Sequence, residues 1–169
     1  MPNLGKKIAI VGVSASGKST FARKLAERTC LPVFFMDSIM WKPGWNYVGD
    51  EETVLRLQEI SSGTEWIIEG YITKGARSVI FDRADTVIYL DYPRWVASGR
   101  YILRWLKHRK DPRPELAGSP EKFSFKFLKL VWNKGETRSL DALLAQMSER
   151  SKIIRLTSPK KSRIFLHKI

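Results

Sequence analysis

Cysteine, histidine and long apolar runs are all scarce in this chain, and each scarcity excludes something. Cys30 stands alone, so no internal disulfide and no set of thiolates for a structural zinc exists. It reads as a small buried apolar residue. His108 and His167 are the only histidines, too few for a His-centred metal site or relay, and both read as exposed and idle. Apolar runs stop far short of the roughly 20 residues of a membrane span. The opening MPNLGKK passes straight into an apolar run and a glycine, unlike a secretory leader. Repeats and low-complexity stretches are missing as well. The expectation is a cytoplasmic protein, monomer or homodimer, with no membrane partner.

What is present is globular in kind. The 169 residues are 43% hydrophobic and 28% charged, which suits one domain over 1–169 with its own core. Acidic residues are scarce in one half only. Residues 1–93 hold 11 basic and 11 acidic side chains, whereas 94–169 hold 19 basic and 6 acidic. The second half thus carries the whole net charge of +13. A polyanionic ligand, nucleic acid or a plain solvated surface would each account for it.

Patterning gives alternating strands and helices. Strands are expected at 6–12 (KKIAIVG), 32–37 (PVFFMD), 65–70 (EWIIEG), 85–92 (DTVIYLDY) and 152–158 (KIIRLTS). Helical spacing covers 18–29, then 50–61 with Asp50 as N-cap, and Pro93 to about Arg109. It returns at 121–133, at 137–150 and in a short basic helix after Pro159, while 38–49 and 110–120 read as loops. On the helix after Pro93, Trp95, Ile102 and Leu106 form the expected core face. Such alternation implies a parallel sheet covered on both faces, with ligands along the carboxyl edge of the strands. Gly12, Asp37, Gly70, Asp91 and Ser158 all fall at expected strand ends.

Residues 12–19 read Gly12-Val13-Ser14-Ala15-Ser16-Gly17-Lys18-Ser19, the pattern G-x-x-x-x-G-K-S between an expected strand and an expected helix. Backbone N–H groups from Ser14 to Thr20 would cradle the phosphates of ATP, with the helix N-terminus adding its positive end. Lys18 would reach the β- and γ-phosphates and Ser19 would hold Mg²⁺. A glycine turn with a surface lysine is the bland alternative. Asn-Lys-x-Asp, which a GTPase needs, is absent.

These features, with Asp37, Trp41-Lys42-Pro43-Gly44-Trp45, EWIIEG and Arg77, ADTVIYLDYPR at 84–94, Arg100, Arg104 and PEKFSFKFLKLVW at 120–132, carry a resemblance. The chain resembles the adenylate-kinase-like P-loop family, and within it the group of DNA topology modulation proteins. In that group the glycine after the third strand precedes Asn-Tyr; here Gly70 precedes Tyr71-Ile72. The resemblance implies a three-layer α/β P-loop fold, with five parallel strands ordered 2-3-1-4-5 and a small helical lid. It also implies an acceptor-binding insert at about 38–64 and a lid at about 107–135.

The residue roles follow. Asp37 would face the acceptor, or else cap a turn. Asp91 resembles a carboxylate supporting Mg²⁺, or else caps the next helix. Trp41, Trp45 and Tyr47 would make a flat wall for a planar acceptor, or a satellite core. Glu69 reads as structural, with Gly70 permitting close approach. Arg100, Arg104 and Lys107 share one helical face that would stabilise a transferring phosphoryl group, or simply face solvent. Arg138 joins them near the phosphates, and Arg77 would clamp an acceptor phosphate. Pro159 and Lys160 would pack on adenine. Three functions fit: an ATP-dependent kinase of a nucleotide or nucleoside, a nucleic-acid-binding regulator responsive to ATP, and a P-loop kinase of another metabolite.

Overall fold

The computed structural model describes residues 3–70, 73–133, 140–147 and 151–169. Five parallel strands form the central sheet: β1 (Lys7–Gly12), β2 (Val33–Phe35), β5 (Trp66–Glu69), β6 (Thr86–Leu90) and β7 (Lys152–Leu156). Their spatial order is β2-β5-β1-β6-β7, which is 2-3-1-4-5 when only these strands are counted. A separate antiparallel hairpin joins β3 (Trp41–Lys42) to β4 (Asn46–Tyr47). The helices are α1 (Lys18–Thr29), α2 (Met36–Met40), α3 (Asp50–Ser62), α4 (Arg77–Phe81), α5 (Arg94–His108), α6 (Phe125–Trp132), α7 (Leu140–Met147) and α8 (Pro159–His167).

The central strands are apolar apart from Lys7, Glu69 and Thr86 at their ends, because helices cover both faces. Side chains alternate across the sheet, so each strand feeds two cores. Ala9, Val11, Trp66, Ile68, Val87 and Tyr89 face one side, where Leu57 of α3, Ile80 of α4 and Leu144 of α7 meet them. Ile8, Ile10, Ile67, Ile88 and Leu90 face the other, against Phe21 and Leu25 of α1 and Leu166 of α8. The register sets Phe35 beside Glu69, Glu69 beside Ile10, Gly12 beside Leu90, and Leu90 beside Leu156. All five carboxyl ends therefore share one edge.

Several expectations need correcting. The strand expected at 32–37 ends at Phe35, because its partner β5 ends at Glu69 and offers nothing further to pair with. The chain turns there into α2, so Asp37 lies in the first turn of a helix rather than at a strand end. Gly49, not Asp50, is the N-cap of α3. The helix expected from 121 starts at Phe125, where Ser124 accepts a hydrogen bond from the Phe127 amide and caps it. Ser158 likewise caps α8 by accepting from the Lys161 amide. Cys30 is exposed: it closes α1 in a left-handed conformation, φ +57°, its N–H bonded to the Ala26 carbonyl.

The expected core face of α5 is reversed. Ala97, Ser98 and Tyr101 are its buried residues, while Trp95 and Leu103 are 68% and 65% exposed and Ile102 and Leu106 are exposed too. Tyr101 wins the inner position because Phe123 and Phe127 stack around its ring and Ser124 donates its amide to its hydroxyl. No helix among the described residues is long and apolar enough to cross a membrane.

Candidate active site

The loop between β1 and α1 is wound for anions. Ala15 and Gly17 have φ of +62° and +96°, and the Ser16 amide closes a turn on the Val13 carbonyl. At Gly17 a Cβ would lie 2.9 Å from an Arg100 guanidinium nitrogen, so only glycine lets that arginine come so close to the loop. Arg100 reaches over from α5 to donate to the Ser16 carbonyl, and its guanidinium lies 5.4 Å from the centre of the Tyr92 ring. Lys18 is buried. Its ammonium folds back onto the carbonyls of Gly12 and Val13, at 3.0 and 3.1 Å.

Above the loop opens a cavity of about 870 Å³. Ser14, Ala15 and Gly17 through Thr20 line it, as do Asp37, Gly70, Arg100, Arg104 and Pro159. Gly12, Ser16 and Lys160 are not among its lining residues. Neither is Arg77, which opens α4. Arg138 and Tyr71 lie outside the described residues.

The carboxylate beside Ser19 is Glu69, the last residue of β5. Burial pushes its carboxyl up to about 7; the nearby Lys18 ammonium opposes that and Asp37 adds to it, while a hydrogen bond with Ser19 lowers it. Its Oε2 is buried without a hydrogen-bond partner among the described residues. Asp91 is elsewhere. It is not a lining residue, and its Oδ2 accepts from Nε and an Nη of Arg155 at 2.9 and 2.6 Å. That ion pair ties β6 to β7, and it raises the Arg155 pKa. The reason is the strand order. β5, not β6, packs against α1, so its carboxyl end reaches Ser19.

A hydroxyl and a carboxylate, with phosphate oxygens and water, form the hard oxygen set that Mg²⁺ takes. Ser19 and Glu69 fit that set, and the bare Oε2 is the atom such an ion would engage through water. No group of three His, Cys, Asp or Glu among the described residues could hold a metal by side chains alone.

The acceptor end is ionic. Asp37 Oδ2 is 3.1 Å from Nη1 of Arg113, a residue that sequence reading passed over as part of a proline-rich loop. Arg113 follows Pro112 and precedes a short 3₁₀ turn, Pro114–Leu116, whose Glu115 pairs with Arg23 of α1. His108, expected to be idle, also lines the cavity, with Nδ1 3.0 Å from the Asp111 carbonyl.

The aromatic loop does not reach the cavity. Trp41 meets Trp45 edge-on, with ring centres 5.8 Å apart, and Tyr47 at 5.3 Å. Trp41 packs against the core, and Trp45 donates its indole N–H to the Pro120 carbonyl. The Gly44 and Trp45 amides bond to Ser119 Oγ. This cluster is a satellite core that pins residues 118–120, so Trp41 and Trp45 form no acceptor wall in this structure.

No protein-family model matches the chain, and no curated protein does. Solved structures do. A shikimate kinase from Acinetobacter baumannii superposes with a TM-score of 0.62 at 19% identity, covering 97% of this chain and 90% of that one. A sugar kinase from a Janibacter species gives 0.56 at 20%, covering 97% and 91%. A gluconokinase from Sinorhizobium meliloti gives 0.55 at 16%, covering 98% and 93%. These likenesses, together with the strand order and the loop at 12–19, show that the chain has the P-loop kinase fold.

Proposed function

We propose that this chain is a P-loop phosphotransferase that moves the γ-phosphoryl group of ATP to a hydroxyl of a small, non-nucleotide acceptor. The observation that carries the reading is the placement of Asp37. Its carboxylate faces the same cavity as the phosphate loop, where a hydroxyl acceptor would need a proton acceptor. A phosphate acceptor needs none. The aromatic loop that would have stacked a nucleobase is spent on packing, which weighs against the nucleotide or nucleoside reading. The solved kinases above include those of shikimate and gluconate, and this favours the same side.

The chemistry asks mainly for positioning and charge neutralisation. ATP phosphates would lie in the loop, with Lys18 leaving the Gly12 and Val13 carbonyls for phosphate oxygens. Mg²⁺, held by Ser19 and by Glu69 through water, would neutralise charge on the β- and γ-oxygens. Arg100 and Arg104 offer cations to the phosphoryl group in transit. Asp37 takes the proton of the attacking hydroxyl, and Arg113 holds that carboxylate in place. Pro159, at the start of α8, lines the side expected to receive adenine.

The metal role expected for Asp91 passes to Glu69 in this reading. ADP formation from Mg·ATP across sugar acids, polyols, nucleosides and nucleoside monophosphates tests it. Turnover with a hydroxyl acid or polyol is expected; turnover with monophosphates alone would return the acceptor to the nucleotide class.

Nucleic-acid binding rests on the +13 of the second half alone. Arg100, Arg104, Lys107, Arg113 and Arg163 of that half line the cavity, which gives part of the charge another use. A low-salt filter-binding titration with no retained DNA would remove this second reading.

A further inference from the structure

Among the described residues, Glu69 and Glu121 are the acidic residues that are buried as whole residues, and the side chain of Glu115, paired with Arg23, is buried too. Glu69 belongs to the phosphate edge of the site. Glu121 is not among the residues that line the cavity. It sits in the extended stretch before α6, its amide bonded at 3.0 Å to the carbonyl of His108 at the end of α5. One of its oxygens, Oε1, is 2.8 Å from Nε of Arg113 and 3.1 Å from Nε of Arg104. Arg113 goes on, through Nη1, to Asp37.

These contacts are electrostatic before they are anything else. Both Nε groups and Oε1 are buried, yet none is aligned as a hydrogen bond. A carboxylate removed from water is tolerated where cations face it, and two guanidinium groups this close need an anion between them. The surroundings narrow the geometry further, since the Arg104 guanidinium lies over the rings of Tyr101 and Phe127. Both arginines line the cavity. A mere strut between α5 and α6 could be made of apolar groups at less cost. An anion shared by two arginines that both line the cavity above the phosphate loop has a different use.

We propose that Glu121 is a positioning residue for phosphoryl transfer: a buried anion that sets the guanidinium groups of Arg104 and Arg113 toward the cavity and keeps Arg113 on Asp37. This rests on the kinase reading above. It assigns the short segment 121–124, none of whose residues lines the cavity, control over the charge at both ends of the site.

The test compares wild type with Glu121→Gln and Glu121→Asp. The first readout is the exchange of arginine Nε–H protons by nitrogen-edited NMR in ligand-free protein, with Arg104→Lys and Arg113→Lys as assignments. The second is kcat and KM for the acceptor that the panel identifies, beside Mg·ATP affinity. Glu121→Gln is expected to speed exchange at both Nε–H groups. It should lower kcat/KM for the acceptor about ten- to a hundredfold, as when an orienting partner of a site residue is removed, and leave Mg·ATP binding near wild type. Glu121→Asp should restore part of each. Unchanged Nε–H exchange, unchanged kcat/KM, or an equal loss of Mg·ATP affinity would overturn the proposal. Should Glu121→Gln not fold, Glu121→Asp is compared with wild type alone, and smaller changes in the same directions are expected because losing a methylene moves the anion away from both Nε groups. A wild-type chain without acceptor turnover would fail the functional reading itself, and the Nε–H exchange would still decide whether Glu121 sets the arginines.

Discussion

Glu69 is where the chemistry of a single residue has the broadest consequences. Its carboxyl titrates near 7 in the folded chain against an ordinary 4.5, chiefly because it is buried. Between those two values the folded chain binds more protons than the unfolded one. The stabilising contribution of protonated Glu69 is therefore complete below about 4.5, is lost as pH rises to about 7, and is constant above that. The gap corresponds to roughly 3 kcal/mol. Glu69→Gln has no such proton to lose, so its stability should fall less than that of wild type between pH 5 and pH 8. Denaturant melts at the two pH values check this; equal losses in both proteins would contradict it.

Gly70, next in the chain, makes a second prediction. Its φ is +138°, and a Cβ there would lie 2.6 Å from Met36 Cβ, inside the core. Gly70→Ala should cost at least about 2 kcal/mol of stability, by strain and overpacking together. An unfolding midpoint matching wild type would contradict the geometry. In the sequence, the residues on the phosphate loop were legible because spacing alone dictates them. Glu69 and Arg113 were not, because their importance comes from what lies opposite. Glu69 reads as the end of an apolar strand until β5 is seen beside α1, and Arg113 reads as one cation in a proline-rich loop until it meets Asp37.

At the scale of elements, α5 departs furthest from its pattern. Trp95, Ile102 and Leu106 share a helical stripe that looks like a core face, yet the buried residues are Ala97, Ser98 and Tyr101. Periodicity finds a stripe but cannot tell which stripe another element will cover. The aromatic cluster of Phe123 and Phe127 decides it, and that packing comes from a segment some twenty residues on. Two substitutions test the assignment. Leu103→Ser, on the exposed stripe, should change stability by no more than about 0.5 kcal/mol. Leu57→Ala, fully buried under the sheet, should cost about 2–5 kcal/mol. Similar costs at both sites would mean the exposed stripe is covered after all. The same limit explains β2. Its sequence reads as a strand through Asp37, but a strand continues only as far as its neighbour, and β5 ends at Glu69.

For the whole molecule, strand alternation and right-handed crossovers were enough to put every strand end on one edge, and the resemblance supplied the order that the sheet has. What a linear reading could not supply was how the two halves of the chain divide the site. The neutral half brings the phosphate loop, Asp37 and Glu69. The basic half brings Arg100, Arg104 and Arg113 over the same cavity. Part of the positive charge of the second half thus lies against the expected site of polyphosphate, and such a site should weaken with salt. Mg·ATP affinity is expected to fall steadily as ionic strength rises from 0.01 M to 0.15 M, over which the screening length shrinks from about 30 to about 8 Å. Salt-independent binding would contradict a charge-driven site.

The most direct measurement of the central claim is the phosphorus NMR spectrum of the product formed from Mg·ATP and the best acceptor, beside Lys18→Ala. The account predicts a new phosphomonoester resonance, formed with ADP, and loss of that turnover by at least about a hundredfold in Lys18→Ala, which removes the ammonium held on the carbonyls of Gly12 and Val13. A new diphosphate resonance beyond those of ADP, or Mg·ATP binding with no acceptor-dependent product at all, would contradict it.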